Sequence, residues 1–183
     1  MALAAAGDRE AFGVVVRRHG PAVLRVAAHV TGSQAAAADV FQETFLAAFR
    51  AAGSYRGAGL RAWLFTIARN AAYRSRRAQG REEQDASLME LGASAGWGDV
   101  SPEIAFERSE RLDRVRRAFA MLSTEDREIL ALRDVEGLSG EDAATVTGLS
   151  LQAMKSRLHR ARLRLGAAYR DLVPAEGEPN HDH

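Results

Sequence analysis

The chain has 183 residues, enough for one or two small domains and too few for a large multidomain enzyme. Hydrophobic residues make up 46% of it and charged residues 27%, as in an average globular protein, so most of the chain is expected to bury a core. Aromatic residues are only 7%, which favours helices over sheets and predicts an all-α fold. The absence of cysteine excludes disulfides, thiolate zinc sites and cysteine nucleophiles, and it fits a reducing cytoplasm. Apolar runs are too short to span a bilayer, so we expect no membrane insertion.

The net charge of +1 hides a segregation along the chain. Residues 1–77 carry +7, residues 78–107 carry −6, residues 108–172 carry +3, and residues 173–183 carry −3. Two basic domains are therefore predicted to flank a glycine-rich acidic linker that is flexible, and the chain ends in an acidic tail. Of the 25 cations 24 are arginine, which fits bidentate anion binding and fits a bias of genome base composition equally well.

The pattern of residues 1–77 predicts a set of amphipathic helices. Gly20 and Pro21 interrupt the first apolar pattern and predict two helical pieces there. Ser33 is predicted to cap the next helix, whose apolar ladder ends before Gly53. Three polar side chains share the opposite face of this helix: Asp39, Gln42 and Glu43. That acidic strip within a basic block is either an interaction surface or an ordinary solvated face.

A loop over residues 53–59 precedes a third apolar ladder, in which Trp63 is predicted to lie in the core. Another face of the same predicted helix carries Arg61, Phe65 and Arg69, spaced by four residues. Cations interrupted by an aromatic ring suit single-stranded nucleic acid, because guanidinium groups hold phosphates while the ring stacks on a base. The same row also fits arginines that snorkel around a core phenylalanine.

The last block has the pattern of a helix-turn-helix. An apolar pattern predicts a helix from Leu112, and Ser123 and Ser139 each begin a further helix with the capping form S-x-x-D. Gly148 turns the chain into a final helix with one apolar and one basic face. The basic face carries Lys155, Ser156, His159, Arg160 and Arg162. A short helix, a glycine turn and a basic helix favour binding in the DNA major groove over binding to a membrane or a calmodulin-like partner.

Three ordered motifs carry a resemblance to a known family. They are residues 39–46 (DVFQETFL), residues 63–70 (WLFTIARN), and residues 132–139 (LRDVEGLS) followed by residues 155–162 (KSRLHRAR). With them the chain resembles the extracytoplasmic-function, group IV sigma factors of bacterial RNA polymerase. The resemblance implies a sigma-two helical bundle over residues 1–77 and a sigma-four helix-turn-helix over residues 108–172, joined by the linker.

The resemblance also implies roles for individual residues. Those that match the motif docking on the clamp helices of the polymerase largest subunit are Asp39, Gln42 and Glu43. Those that match the part capturing unpaired bases of the minus-ten element are Tyr55, Arg56, Arg61, Phe65 and Asn70. Those that match the helix facing the minus-thirty-five element are Lys155, Ser156, His159 and Arg160, with Arg162 as a phosphate contact.

The partners implied by the resemblance are core RNA polymerase, through its clamp helices and flap region, promoter DNA, and an anti-sigma factor. The function implied is promoter selection and strand opening in the cytoplasm, on the nucleoid when in holoenzyme, with no catalytic residue, cofactor or metal. The sequence departs from the family at Ala38, where Glu is frequent, at Arg74, where Asp is common, and at residues 153–154, where Thr-Val is frequent.

Two other classes of function were weighed against this one. A stand-alone helix-turn-helix regulator would bind duplex DNA without polymerase and use the first block for dimerisation or sensing. A hydrolase or metal enzyme has little support, because the sequence contains no nucleotide-binding glycine motif and no nucleophile elbow. His181 and His183 fit either a weak metal site or a solvated tail.

Overall fold

The computed structural model describes residues 8–57, 59–80 and 102–173, the side chains of residues 102–108 excepted. Most of the predicted linker and tail, including His181 and His183, lies outside the described residues. All regular structure within the described ranges is helical and forms two domains, as the composition predicted.

The N-terminal domain contains helices α1 (Arg9–Thr31), α2 (Gln34–Arg50) and α3 (Leu60–Ala78), with one turn of 3₁₀ helix at Ala52–Ser54. The C-terminal domain contains α4 (Pro102–Ala120), α5 (Thr124–Leu130), α6 (Gly140–Thr147) and α7 (Leu151–Asp171). A π-helical turn, Ala131–Val135, continues α5.

Side-chain caps begin the helices where the sequence predicted them. The hydroxyls of Ser33, Ser123 and Ser139 accept hydrogen bonds from backbone amides two or three residues into α2, α5 and α6. Ser150 caps α7 in the same way, and Asp8 accepts from two amides at the start of α1. Each cap satisfies an amide that has no partner within its own helix, and typically stabilises the helix by about 1 kcal/mol.

The prediction that Gly20 and Pro21 divide the first helix is wrong, since α1 is continuous from Arg9 to Thr31. Pro21 costs the helix one hydrogen bond, but Val15 before it and Val23 after it are buried in the same core, which holds both halves in line. Gly20 serves packing: a Cβ there would lie 3.2 Å from the ring of Phe41 on α2. The glycine therefore lets α1 approach α2.

Helix α4 begins at Pro102, well before Leu112, where the apolar pattern predicted its start. Proline is favoured in the first turn of a helix because its missing amide hydrogen is not needed there. Leu112 and Val115 are 48% and 40% exposed, so the start of the predicted apolar stripe is not buried. The structure therefore places residues 102–107, expected in the linker, inside a helix.

The two domains pack directly against each other. Helix α3 contacts the N-terminal bundle and α6, and α1 contacts α5. One cluster of buried apolar side chains runs through both domains and includes Leu64, Phe65, Ile129, Leu130 and Ala143. Helix α3 is thus buried on two sides, one of which belongs to the contact between the domains.

His29 lies in the last turn of α1 at this contact. Its ring lies 4.9 Å from the ring of Phe119, and its carbonyl accepts a hydrogen bond from Arg127 Nε at 3.2 Å. Burial, with the positive charges of Arg127 and Arg25, lowers the pKa of His29 from 6.5 to about 4. The imidazole is therefore neutral in the folded protein at neutral pH.

We expect the free energy of unfolding to fall as pH drops from about 6.5 to 4, because the unfolded chain then binds a proton that folded His29 does not. The loss amounts to at most about 3 kcal/mol and is absent above pH 6.5. Urea unfolding of the wild type and of His29→Leu across this range measures it. Burial raises the pKa of Glu128, whose contribution runs the opposite way, so only the difference between the two proteins isolates the histidine. Parallel pH curves would contradict the assignment.

Candidate protein and nucleic-acid interfaces

The acidic strip predicted on α2 is exposed. Asp39, Gln42 and Glu43 point to solvent from the face opposite the buried residues Val40, Thr44 and Phe45. The structure therefore brings the three predicted side chains together on one accessible helix face, with Leu46, 57% exposed, one turn further along.

An apolar cleft adjoins this strip and was not predicted from the sequence. It has a volume of about 420 Å³ and is lined by Arg9, Phe12, Gln42, Phe45, Leu46 and Phe49. The sequence contains a pattern that indicates this cleft, because Leu46 interrupts the polar face of α2 and Phe49 follows it at helical spacing. A polar strip beside an apolar cleft suits a protein partner, which gains specificity from the one and buried area from the other.

Glu43 of the strip has an intramolecular partner. Arg74 Nη2 on α3 donates to Glu43 Oε1, and the two side chains are 56% and 53% exposed. Arg74 is one of the positions where the sequence departs from its family resemblance. An exposed pair of this kind contributes about 0–1 kcal/mol, so a binding partner displaces it at low cost.

The predicted row on α3, Arg61, Phe65 and Arg69, continues in the structure with a second ring, Tyr73, which the prediction did not include. The guanidinium carbon of Arg61 lies 5.6 Å from the ring centroid of Phe65, and that of Arg69 lies 4.6 Å from the ring of Tyr73. The row faces the C-terminal domain, and Phe65 is only 1% exposed. In this arrangement its ring does not reach solvent.

Two carboxylates of the C-terminal domain lie on this row. Glu136 Oε1 accepts from Arg25 Nε at 2.7 Å, and its Oε2 accepts from Arg61 Nη2 at 3.1 Å. Arg61 Nη2 also donates to the Glu136 carbonyl at 2.6 Å. Arg61, which the resemblance assigned to nucleic acid, is thus neutralised here by a carboxylate of the protein.

Glu128 lies further along the same row. Its Oε1 accepts from Arg69 Nε at 2.6 Å and its Oε2 from the Tyr73 hydroxyl at 2.9 Å. Burial raises the pKa of Glu128, opposed by the charge of Arg69. Burial and the Glu128 charge likewise raise the pKa of Tyr73, so this hydroxyl stays a donor. The interaction is a buried ion pair with a large desolvation cost.

The remaining residues predicted for the minus-ten element lie beside the row. Tyr55 is partly buried, Arg56 is exposed and donates to the Gly53 carbonyl at 3.1 Å, and Asn70 is exposed. Trp63, expected in the core, is only partly buried, and its ring lies 5.2 Å from that of Tyr55. Trp63 is thus more exposed than predicted, whereas the burial of Phe65 fits the interpretation of the row as arginines around a core phenylalanine.

Asn70 also lines a polar groove of about 410 Å³ on α3. The other lining residues are Arg69, Tyr73, Arg74 and Arg77. Three arginines around an amide and a phenol form a positively charged surface with hydrogen-bonding capacity, as an anionic strand requires. The groove is accessible without moving the two domains.

The helix-turn-helix has the predicted geometry. Gly148, with φ of 69°, ends α6 in the left-handed conformation. Helix α7 then begins at Leu151, directly after its cap Ser150. The exposed face of α7 presents Lys155, Ser156, His159 and Arg160, while Met154, Leu158 and Ala161 are buried. Sequence reasoning overlooked Gln152, which is exposed one turn before this group.

Arg162 is exposed, but it forms an ion pair with Asp134. Its Nε and Nη2 donate to the two oxygens of Asp134 at 3.0 and 2.6 Å. The hydrogen bond raises the pKa of Arg162, and the bidentate geometry fixes its guanidinium plane. A phosphate that binds this arginine must displace or share the carboxylate.

No metal-binding cluster of three or more histidine or acidic residues occurs among the residues that the structure describes. Across the same ranges, none of the helices is long and apolar enough to cross a membrane.

Comparisons with known proteins agree on one family. The model of Sigma-70 region 2 matches residues 15–82, and that of Sigma-70 region 4 matches residues 112–165. The RNA polymerase sigma-H factor of Pseudomonas aeruginosa is 34% identical over 91% of this chain and 90% of its own length. The ECF RNA polymerase sigma factor EcfG of Rhodopseudomonas palustris is 34% identical over 80% of this chain and 78% of its own length.

Two solved structures share the fold. CnrH, in complex with the cytosolic domain of CnrY, has a TM-score of 0.68 and 29% identity, covering 94% of this chain and 96% of that one. The sigma factor RpoE of Bartonella quintana, in complex with the anti-sigma factor NepR, has a TM-score of 0.70 and 28% identity, covering 88% and 98%.

We expect Phe65→Ala to lower the free energy of unfolding by about 3–5 kcal/mol, the range for truncating a buried phenylalanine. Leu46→Ala, on an exposed apolar residue, serves as the control and should cost less than about 0.5 kcal/mol. Urea unfolding followed by circular dichroism measures both. Similar small losses in the two variants would show that Phe65 is exposed in solution.

Proposed function

Since the chain belongs to the extracytoplasmic-function sigma factors of bacterial RNA polymerase, we propose that its two domains bind core polymerase and recognise the two elements of a promoter. The observation that carries this proposal is one chain with both an exposed acidic strip on α2 and an exposed basic face on a helix-turn-helix. The family comprises transcription initiation factors without catalysis of their own. We accordingly assign this chain no enzymatic activity and place it in the cytoplasm with the polymerase.

The acidic strip is the proposed binding site for the clamp helices of the polymerase. Asp39, Gln42 and Glu43 supply acceptors and an amide for polar contacts, and Leu46 with the adjoining cleft supplies apolar area. Arg74 leaves Glu43 when the clamp binds, at the small cost of an exposed pair. The flap region of the polymerase is the proposed partner of the C-terminal domain.

The minus-ten element is assigned to α3 and the loop before it. Arg56 and Asn70 are exposed and Tyr55 is partly buried, and the half-buried Trp63 adds a ring suited to stacking. Arg61 and Phe65 join them once the C-terminal domain leaves the row. Strand opening then follows from trapping unpaired bases.

The minus-thirty-five element is assigned to the exposed face of α7. Lys155, Ser156, His159 and Arg160 are accessible in one row, and Gln152 extends it toward the start of the helix, the part that contacts base edges in such motifs. Arg162 is assigned to a phosphate, with Asp134 orienting it.

An anti-sigma factor is the proposed regulator. Of the two solved structures that share this fold over most of the chain, RpoE is in complex with the anti-sigma factor NepR and CnrH with the cytosolic domain of CnrY. The exposed apolar residues of α4, Leu112 and Val115, and the cleft on α2 are surfaces that such a partner would cover.

Reversing two charges of the acidic strip should block assembly with polymerase. We expect Asp39→Arg with Glu43→Arg to abolish co-purification with core polymerase, because both the acceptors and the sign of the surface are lost. The control, Glu10→Arg with Glu110→Arg, makes the same charge change at exposed acids elsewhere and should bind normally. Normal co-purification of the strip variant would rule out this interface.

Removing one base contact on α7 should change promoter choice without affecting polymerase binding. We expect Arg160→Ala to reduce discrimination between promoter variants by about 1–3 kcal/mol, as for one bidentate base contact. Run-off transcription with core polymerase on a promoter library measures this. Arg170→Ala, on the same helix beyond the predicted contacts, should leave discrimination unchanged. Equal losses of transcription and polymerase binding in Arg160→Ala would contradict the assignment.

A further inference from the structure

Arg74 on α3 lies where two of the surfaces described above meet. Its side chain lines the polar groove of α3, whose other lining residues are Arg69, Asn70, Tyr73 and Arg77. Its Nη2 also donates to Glu43 Oε1, which belongs to the acidic strip of α2. One guanidinium group is therefore part of the groove that suits an anionic strand and is bound to the strip proposed for polymerase.

Two arginines of this groove are paired with acids, and the two pairs differ in burial. Arg69 is bound to Glu128, whose side chain is only 2% exposed, so separating that pair leaves a charge without water. Arg74 and Glu43 are both more than half exposed, so water solvates each of them when they separate. Of these two arginines, Arg74 is therefore the one that exchanges its carboxylate for another anion at low cost.

The pair of Glu43 and Arg74 makes the two surfaces interdependent. A partner that brings a hydrogen-bond donor or a cation to Glu43 competes with Arg74, and a phosphate that binds Arg74 competes with Glu43. Either event breaks the same ion pair, so the second event no longer has to break it. Such coupling between two binding sites is reciprocal. An aspartate at position 74, the residue that the resemblance leads one to expect, could neither pair with Glu43 nor attract a phosphate.

We propose that Arg74 is shared by the polymerase surface and the strand surface. Glu43 holds its guanidinium group in the free chain, and a polymerase that binds Glu43 releases the group to a phosphate of the minus-ten strand. The inference rests on the proposed function, because it assigns one further residue to the same two surfaces. The coupling is a factor of about two to five, since the pair that is exchanged is exposed to solvent.

The first measurement is affinity for core polymerase, by competition of each full-length variant against the labelled wild-type chain. Arg74→Ala should bind about two- to fivefold tighter than the wild type, because Glu43 then has no internal partner to leave. In a chain that already carries Glu43→Gln, the same substitution should bring no gain, whereas a general effect of surface charge would persist there. Arg170→Ala, which removes the same charge from an exposed position on α7, should leave the affinity unchanged.

The second measurement is affinity of the full chain, without polymerase, for a short oligo(dT) strand at fixed salt. Glu43→Gln should bind the strand about two- to fivefold tighter than Glu10→Gln, because only the first substitution frees Arg74. Glu10→Gln removes the same charge at another exposed position and serves as the control. The double variant Glu43→Gln with Arg74→Ala should bind no tighter than Arg74→Ala alone.

Unchanged or weaker polymerase binding by Arg74→Ala would overturn the proposal, and so would an equal gain with and without the Glu43 carboxylate. Strand binding by Glu43→Gln that is no tighter than that of Glu10→Gln would overturn it as well. Thermal unfolding of each variant establishes that it is folded. Failure of the wild type to bind core polymerase would instead refute the proposed function, while the strand measurement on the free chain still reports on Arg74. The two failures are therefore distinguishable.

Discussion

The contact between Glu136 and the two arginines, Arg25 and Arg61, governs how the two domains meet. A carboxylate that loses water without gaining cations costs several kcal/mol, so the C-terminal domain packs closely on α3 only in the orientation that pairs its acids. Glu128 and Arg69 repeat the requirement further along the helix. Apolar side chains supply the area of this contact, and the ion pairs select its geometry. Two single acids within a block of net positive charge, Glu128 and Glu136, thus give a specific packing of one domain on the other.

This packing separates three surfaces that a promoter-binding factor needs. The strip on α2 faces away from the contact, the basic face of α7 also stays in solvent, and only the row on α3 is covered. Buried ion pairs add little net stability against the desolvation that they require, so their main effect is on the geometry of the contact. Arg162 and Arg74 are also paired with carboxylates of the same chain, Asp134 and Glu43. An external anion that binds either arginine must compete with that carboxylate or share the arginine with it.

Local signals in the sequence predicted much of the fold. The serine caps, the turn at Gly148 and the exposed face of α7 follow from short-range chemistry, and the structure has them where the pattern placed them. Contacts between elements distant in the sequence decided two positions that local patterns did not. Gly20 looked like a helix breaker because the ring of Phe41 that it admits lies on another helix. The pattern of α3 left Phe65 either exposed or in the core, and it is buried because the other domain covers the second face of the helix.

The π-helical turn Ala131–Val135 determines where the acids after α5 point. Asp134, within the turn, reaches Arg162 on α7, whereas Glu136, directly after it, reaches α1 and α3. Losing or gaining one residue in a helix rotates everything that follows by about 100°, which would aim Glu136 away from both arginines while leaving the amino-acid composition nearly unchanged. The length of this five-residue turn therefore links the orientation of α7 to the packing of the C-terminal domain on α1 and α3. Insertions tolerated in ordinary surface loops are not tolerated here without uncoupling the two.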